Sequence, residues 1–174
     1  MTDWTEIPQN HPVKKLFRNL TDRALTQTSL TDRDIHTYLS DLLLEFISVD
    51  SFYLKDEQGR KMEYLVDLIQ AAEAAPRRMR KRHFKHLGDF SLFVLGMFPE
   101  SLNRGRRQLP RSYYMDTGRR GYLIASHLES NSDSTVVYRK MADKFDPCVR
   151  SLNWVKEYTS DPFFQYMLRQ FRAI

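Results

Sequence analysis

The sequence contains a single cysteine, Cys148, and so has no second cysteine with which to form an internal disulfide. Disulfides are typical of secreted proteins, and residues 1–10 show neither the basic nor the apolar region of a secretory signal. No apolar run approaches the ~20 residues that are needed to span a bilayer. These absences predict a protein of the reducing cytoplasm that is not anchored in a membrane.

Glycine and proline are also scarce, with 6 and 7 residues in a chain of 174. An all-β sandwich needs many turns rich in these residues, so their scarcity argues against that class of fold. Charged residues make up 28% of the chain and hydrophobic residues 41%, a balance typical of globular proteins rather than disordered ones. No linker or repeat divides residues 1–174, which we interpret as a single domain.

Apolar residues recur at three- and four-residue spacing along most of the chain, which predicts an all-α fold. The best-defined helix start lies in "SLTDRDI", where we expect Thr31 to cap a helix and Asp34 to act as its partial capping-box partner. Further helices are predicted at approximately 13–28, 62–75, 77–98, 113–129, 136–145, 147–158 and 163–171. We therefore expect a single-domain bundle of about seven helices, with a short β-hairpin near residues 52–65 as the alternative for that segment.

Two of the predicted helices carry glycines in their interiors, where glycine costs roughly 1 kcal/mol relative to alanine. Gly88 and Gly96 lie in "HLGDFSLFVLGMF", and Gly118 and Gly121 lie in "YYMDTGRRGYLIAS". The first of these helices is apolar nearly all round in its second half, which is typical of a buried helix. We expect the two helices to cross closely at these four glycines in the centre of the bundle. The alternative is that Gly118 ends a short helix.

Positive charge is concentrated between residues 76 and 120, where twelve Lys or Arg stand against three acidic residues, a net charge of +9. The rest of the chain has 15 basic and 19 acidic residues, a net charge of −4. This distribution fits an anionic partner, self-association, or acidic ends that fold back onto the basic middle. The candidate anion-binding residues are Arg77, Arg78, Arg80, Lys81, Arg82, Lys85, Arg104, Arg106, Arg107 and Arg111.

Aromatic residues supply a second group of candidates. Phe90, Phe93, Tyr114 and Tyr122 lie on the two central helices, and helix bundles hold cofactors and other ligands between such helices. These four residues are therefore candidates for the lining of a pocket. The alternative is an aromatic core that packs on itself.

No catalytic or metal-binding motif is recognisable. His83, His86 and Asp89 follow one another at three-residue spacing and are residue types that bind zinc or iron. The neighbouring Arg and Lys side chains would repel a cation, however, and no HExxH or ExxH pair is present. We therefore predict no metal, no cofactor and no catalytic residue, and we expect Cys148 to be an inert, partly buried thiol.

Three strings, "HLGDFSLFVLGMFPESL", "YYMDTGRRGYLIAS" and "CVRSLNWV", occur in this order in the chain. In them the sequence resembles a family of uncharacterised bacterial proteins with blocks of the form HLGDxxLFxxGxxPExL and YxxxGRRxYxxAS. The resemblance covers residues 56–158 and implies a helical cytoplasmic protein of a bacterium. It implies no activity, ligand or catalytic residue, because no activity is established for that family.

These observations favour a non-enzymatic helical domain that acts by contact with another protein or with a second copy of itself, as a homodimer. The first alternative is a module that binds nucleic acid or another anion through the basic segment 77–111. The second alternative is a bundle that binds a small molecule in an aromatic pocket.

Overall fold

The computed structural model of the chain describes residues 8, 10–46, 58–59, 64–103, 108–128, 132–159 and 162. Within these ranges it contains seven α-helices, one 3₁₀ helix over Pro99–Asn103 and no β-strand. The protein is thus an all-α helical bundle, as the spacing of its apolar residues predicts. The helices are α1 (Pro12–Gln27), α2 (Arg33–Phe46), α3 (Leu65–Ala74), α4 (Arg77–Met97), α5 (Arg111–His127), α6 (Asp133–Asp143) and α7 (Phe145–Thr159).

The start of α2 differs from the prediction in its capping residue. The Oδ1 atom of Asp32, and not the hydroxyl of Thr31, accepts the backbone N–H groups of Asp34 (2.9 Å) and Ile35 (3.3 Å). Aspartate and threonine are both good N-cap residues, so the local sequence alone does not choose between adjacent candidates. The predicted Thr31 cap is therefore wrong by one residue.

Prolines define the starts of α4 and α5. Pro76 and Pro110 directly precede these helices with φ near −60° and ψ of 150°, and neither helix start has a side-chain cap. Ser112, although a residue type that often caps helices, lies inside the first turn of α5 and does not cap it. Proline has no backbone N–H, and the N–H groups at a helix start have no intrahelical partner, so proline is well tolerated directly before a helix.

Two predicted elements fall mainly on undescribed residues. The hairpin alternative near residues 52–65 is described only at Gln58 and Gly59, in a bend where Gly59 has a φ of +77°, and from Tyr64 onward, where α3 follows. The last predicted helix, over 163–171, lies outside the described residues.

Helix α4 forms the centre of the bundle. Its second half is buried on every side, from His86 to Gly96 without interruption, as its nearly all-apolar composition predicts. Helices α3, α5 and α7 all pack against it, and α1 and α2 close the bundle by packing on α7 and α6. The charged first half of α4 extends beyond this core and is exposed at Arg77, Arg78, Arg80 and Arg82.

The contact between α4 and α5 is close at three of the four glycines. A Cβ atom added to Gly121 would lie 2.7 Å from the Phe84 carbonyl oxygen, and one added to Gly88 would lie 2.7 Å from the ring of Tyr122. A Cβ on Gly118 would lie 2.8 Å from Ser91 and 2.3 Å from the ring of Phe145 in α7. The order of these contacts along the two helices makes α4 and α5 antiparallel.

Gly96 does not take part in this crossing. A Cβ on Gly96 would lie 2.4 Å from the Cβ of Leu152, so this glycine accommodates α7 and not α5. The physical reason is that a helix has 3.6 residues per turn, so a position eight residues after Gly88 is rotated by roughly 80° around the axis. At the same place Asn153 donates its Nδ2–H to the carbonyl oxygens of Leu95 (3.0 Å) and Gly96 (2.7 Å), which fixes the end of α4 on α7.

We expect Gly121→Ala to lower the free energy of unfolding by about 1–3 kcal/mol, the usual cost of overpacking. The atoms that its methyl group would meet, Phe84 O and Gly88 N, are backbone atoms that cannot move aside. This cost outweighs the roughly 1 kcal/mol that alanine gains over glycine in a helix. Chemical denaturation would measure it, with Arg119→Ala on the exposed face of α5 as the control. An increase in stability for Gly121→Ala would contradict the close crossing.

Candidate functional site

A buried carboxylate lies where α2, α4 and α5 meet. Asp89 of α4 has 2% of its surface exposed. Its Oδ1 accepts the hydroxyl groups of Tyr38 from α2 (2.6 Å) and Tyr122 from α5 (2.7 Å). Its Oδ2 accepts the ammonium group of Lys85, one turn earlier on α4, at 2.6 Å. We refer to Asp89, Lys85, Tyr38 and Tyr122 as the Asp89 network.

Aromatic rings and cations surround this network. The ring of Tyr38 lies edge-on to the rings of Tyr122 (centroids 5.7 Å apart) and of Tyr138 from α6 (6.1 Å). The rings of Tyr122 and Tyr138 are stacked at 6.4 Å. The ammonium groups of Lys85 and Lys81 lie 5.7 and 5.8 Å from the ring centroids of Tyr38 and Tyr138. Because the ring faces carry negative charge, they favour these two cations.

Lys85 and the two tyrosines of the network each keep one protonation state near neutral pH. Burial and the negative charge of Asp89 raise the pKa values of Tyr38 and Tyr122 well above their usual range, so both hydroxyls stay protonated and act as donors. Burial by itself lowers the pKa of Lys85, but the Asp89 carboxylate raises it above its ordinary value. Both oxygens of Asp89 are occupied, and neither Lys85 nor the tyrosines can act as a base. The arrangement is suited to holding helices together.

Sequence reasoning identified three of the four members of this network, with other roles, and did not single out Tyr38. Lys85 was expected on an anion-binding surface, Tyr122 in a pocket, and Asp89 was considered as a metal ligand. The one signal in the sequence is the four-residue spacing of Lys85 and Asp89, which places the two side chains next to each other on a helix. Tyr38 and Tyr122 have no comparable signal, because their partner lies on another helix.

The structure separates the candidate anion-binding residues. Helices α4 and α5 are antiparallel, so Arg111 lies at the opposite end of this pair from Arg77 and Arg78. Within the basic run of α4, Lys85 is paired with Asp89, and Arg80 lies over the ring of Phe84, 5.9 Å from its centroid. Arg77 and Arg78 are exposed and have no ion-pair partner among the described residues. Arg104, Arg106 and Arg107 lie outside the described ranges.

Arg82 lies near an acidic side chain of α2. Burial raises the pKa of the Glu45 carboxyl, and the positive charges of Lys85 and Arg82 act on it in the opposite direction. The basic run of α4 is therefore compensated in part by acidic and aromatic groups of this same chain.

A groove of about 360 Å³ opens between α3 and α5, on the side of α4 that faces away from the Asp89 network. It exists because both of these helices pack on α4 while their main packing contacts are not with each other. The apolar lining consists of Ile69, Phe84, Leu87 and Gly121, and the polar lining consists of Glu73, Tyr113, Asp116, Thr117 and Arg120. The groove thus has an apolar floor and a rim that carries charges of both signs.

The four aromatic pocket candidates do not line this groove. Phe90, Phe93 and Tyr122 are buried in the core, and Tyr114 is partly buried and packs against it. Phe93 lies 5.6 Å from the ring of Phe98, and Tyr122 lies 6.0 Å from the ring of Phe145. Gly88, Gly118 and Gly121 bring α4 and α5 so close together that these aromatic rings pack against protein atoms.

The remaining candidates are the histidines and the cysteine. In the described part of the chain, no group of three or more His, Cys, Asp or Glu side chains could hold a metal ion. Burial lowers the pKa of His86 to about 4, so this side chain is neutral at pH 7. Burial raises the pKa of the Cys148 thiol to about 12, and a thiol in this state is a poor nucleophile.

Comparison with family models, with curated proteins and with solved structures finds no match for this chain. The resemblance to uncharacterised bacterial proteins therefore stays a prediction. In the described ranges, every helix is too short or too polar to cross a membrane.

A double-mutant cycle on Lys85 and Asp89 tests the network. We expect Lys85→Met to cost more stability than Asp89→Asn, because Asp89 cannot reach water whereas Lys85, with 31% of its side chain exposed, can. Each loss should amount to about 2–5 kcal/mol, and the coupling energy should exceed about 1 kcal/mol. The exposed pair Lys140–Asp34 (2.6 Å) is the control and should show much weaker coupling. Equal coupling in both pairs would contradict a dominant role for the buried carboxylate.

The pKa of His86 predicts a loss of stability in acid. Its value of about 4 in the folded chain lies below the ~6.5 expected in the unfolded chain, so the unfolded chain binds more protons between these values. The free energy of unfolding should therefore fall by up to about 3 kcal/mol as the pH drops from ~6.5 to ~4.

Unfolding measured across this pH range in His86→Leu should show a shallower fall than in the wild type. The control is His127→Leu, on an exposed histidine of α5, which should keep the wild-type slope. An unchanged slope in His86→Leu would show that other groups cause the loss.

Proposed function

We propose that this protein is a non-enzymatic interaction domain that binds another protein through the groove between α3 and α5. The single observation that carries the proposal is the groove itself, with an apolar floor and a charged rim. Glu73, Asp116 and Arg120 on this rim have no hydrogen-bond or ion-pair partner among the described residues. Apolar centres surrounded by polar rims are the usual form of protein contact sites.

The Asp89 network and the close helix crossing support this function indirectly. Phe84 and Leu87 on the groove floor belong to the same stretch of α4 as Lys85 and Asp89. One of the two walls of the groove is α5, and the hydrogen bond from Tyr122 to Asp89 fixes α5 to α4. A wall and floor held in one geometry lose little conformational entropy on binding, which favours affinity.

The basic run of α4 supports the nucleic-acid alternative less well. Phosphate binding needs several free cations on one surface, since affinity depends on the number of phosphates neutralised. Only a part of the run, chiefly Arg77 and Arg78, is exposed without a described partner. The aromatic-pocket alternative has weaker support, because its residues pack in the core.

Photo-crosslinking tests the proposal. A photoreactive phenylalanine analogue would replace Tyr113, which lines the groove and is 40% exposed, in protein expressed in its native host. We expect this position to crosslink to a discrete partner protein, because a bound partner covers the groove. The product mass would show whether the partner is a second copy of the chain, as in a homodimer.

Leu123 provides the matched control position. It lies on the same helix, is 39% exposed and is not part of the groove lining. The same analogue at Leu123 should give no discrete product. Identical products at both positions, or none at Tyr113, would reject the groove as the contact surface.

A further inference from the structure

The charge at the rim of the groove is opposite in sign to that of the chain as a whole. The full chain carries a net charge of +5. The charged residues that line the groove are Glu73, Asp116 and Arg120, which sum to a net charge of −1. Arg80 lies over the ring of Phe84, 5.9 Å from its centroid, and is not part of the lining. The two carboxylates lie on different walls, Glu73 on α3 and Asp116 on α5, whereas Arg120 lies on the α5 wall alone. A cation that enters between the walls is therefore attracted from both sides.

The dimensions of the groove fit a short helical or extended segment. Tyr113 and Gly121, which both line it, are eight residues apart on α5, or about 12 Å along the axis. Two turns of a helix have nearly the same length, so a bound helix can place side chains from successive turns along the groove. The volume of about 360 Å³ is at the lower end of the range for small-molecule pockets.

We infer that the groove binds a segment of a partner protein in which a Lys or Arg stands next to apolar side chains. This inference rests on the proposed function and specifies the chemistry of its partner. The apolar side chains contact Ile69, which is half-buried, and the small exposed parts of Phe84 and Leu87, and the cation lies between Glu73 and Asp116. Nucleic acid is a poor occupant, because its phosphates would face two carboxylates.

Selection from a display library of short random peptides tests the inference. The wild-type protein should enrich peptides in which Lys or Arg neighbours Leu, Ile or Phe. These peptides should not bind Thr117→Trp, in which an indole fills the groove, and should still bind Arg119→Trp. The second variant carries the same aromatic on the exposed face of α5, outside the groove lining. Circular dichroism and thermal unfolding would verify that both variants are folded.

The rim charges give a second readout with the enriched peptides. The double substitution Glu73→Gln and Asp116→Asn should weaken their binding by about 5- to 10-fold, since it removes both attractions for the cation. Arg120→Gln should leave binding unchanged or strengthen it, because it removes a repulsion. Weaker binding in Arg120→Gln, with no effect of the double substitution, would overturn the inference.

The outcomes separate this inference from the proposed function. Peptides that depend on the groove but are acidic or uncharged would overturn the inference and leave the groove as a contact surface. Absence of enrichment, or equal binding to Thr117→Trp, would overturn the inference and leave the proposed function to the crosslinking experiment. A small molecule that is retained by the wild type in native mass spectrometry, and absent from Thr117→Trp, would also overturn the inference.

Discussion

The carboxylate of Asp89 is the interaction on which the rest of the described structure depends. A buried negative charge is costly unless a cation and hydrogen-bond donors surround it. Here the cation comes from α4 itself and the two donors come from α2 and α5. Because each of these helices must be in place before the carboxylate is satisfied, the network selects one arrangement of the bundle among those that would bury a similar apolar area.

The glycines make this network geometrically possible. The Tyr122 ring lies where a side chain on Gly88 would be, and its hydroxyl then reaches Asp89, the next residue on α4. Gly121 lets the two backbones approach at the neighbouring position. A larger residue at Gly88 would displace the ring and leave the carboxylate with fewer donors. Close packing and charge compensation are therefore parts of the same arrangement.

This arrangement also determines which charged groups lie on each side of α4. On one side, Lys81, Arg82 and Lys85 lie near Glu45, Asp89 and the tyrosine rings, which reduces the charge available to an outside anion. On the other side, α3 and α5 leave a groove over Phe84 and Leu87, which are 6% and 2% exposed, and place along its rim carboxylates that have no partner among the described residues. The proposed contact surface is thus distinct from the basic surface that the sequence analysis identifies.

The sequence by itself determined the helical class, the existence of the described helices and the burial of α4, since apolar periodicity and proline positions act within a single helix. It did not determine which of Thr31 and Asp32 caps α2, because both are good N-cap residues. Nor did it determine that Gly96 faces α7, because this depends on where α7 lies around α4. The partners of Asp89 and the groove between α3 and α5 were decided only by tertiary structure. The reason is that both require side chains from different helices, whose relative placement is not encoded in the spacing of residues along any one of them.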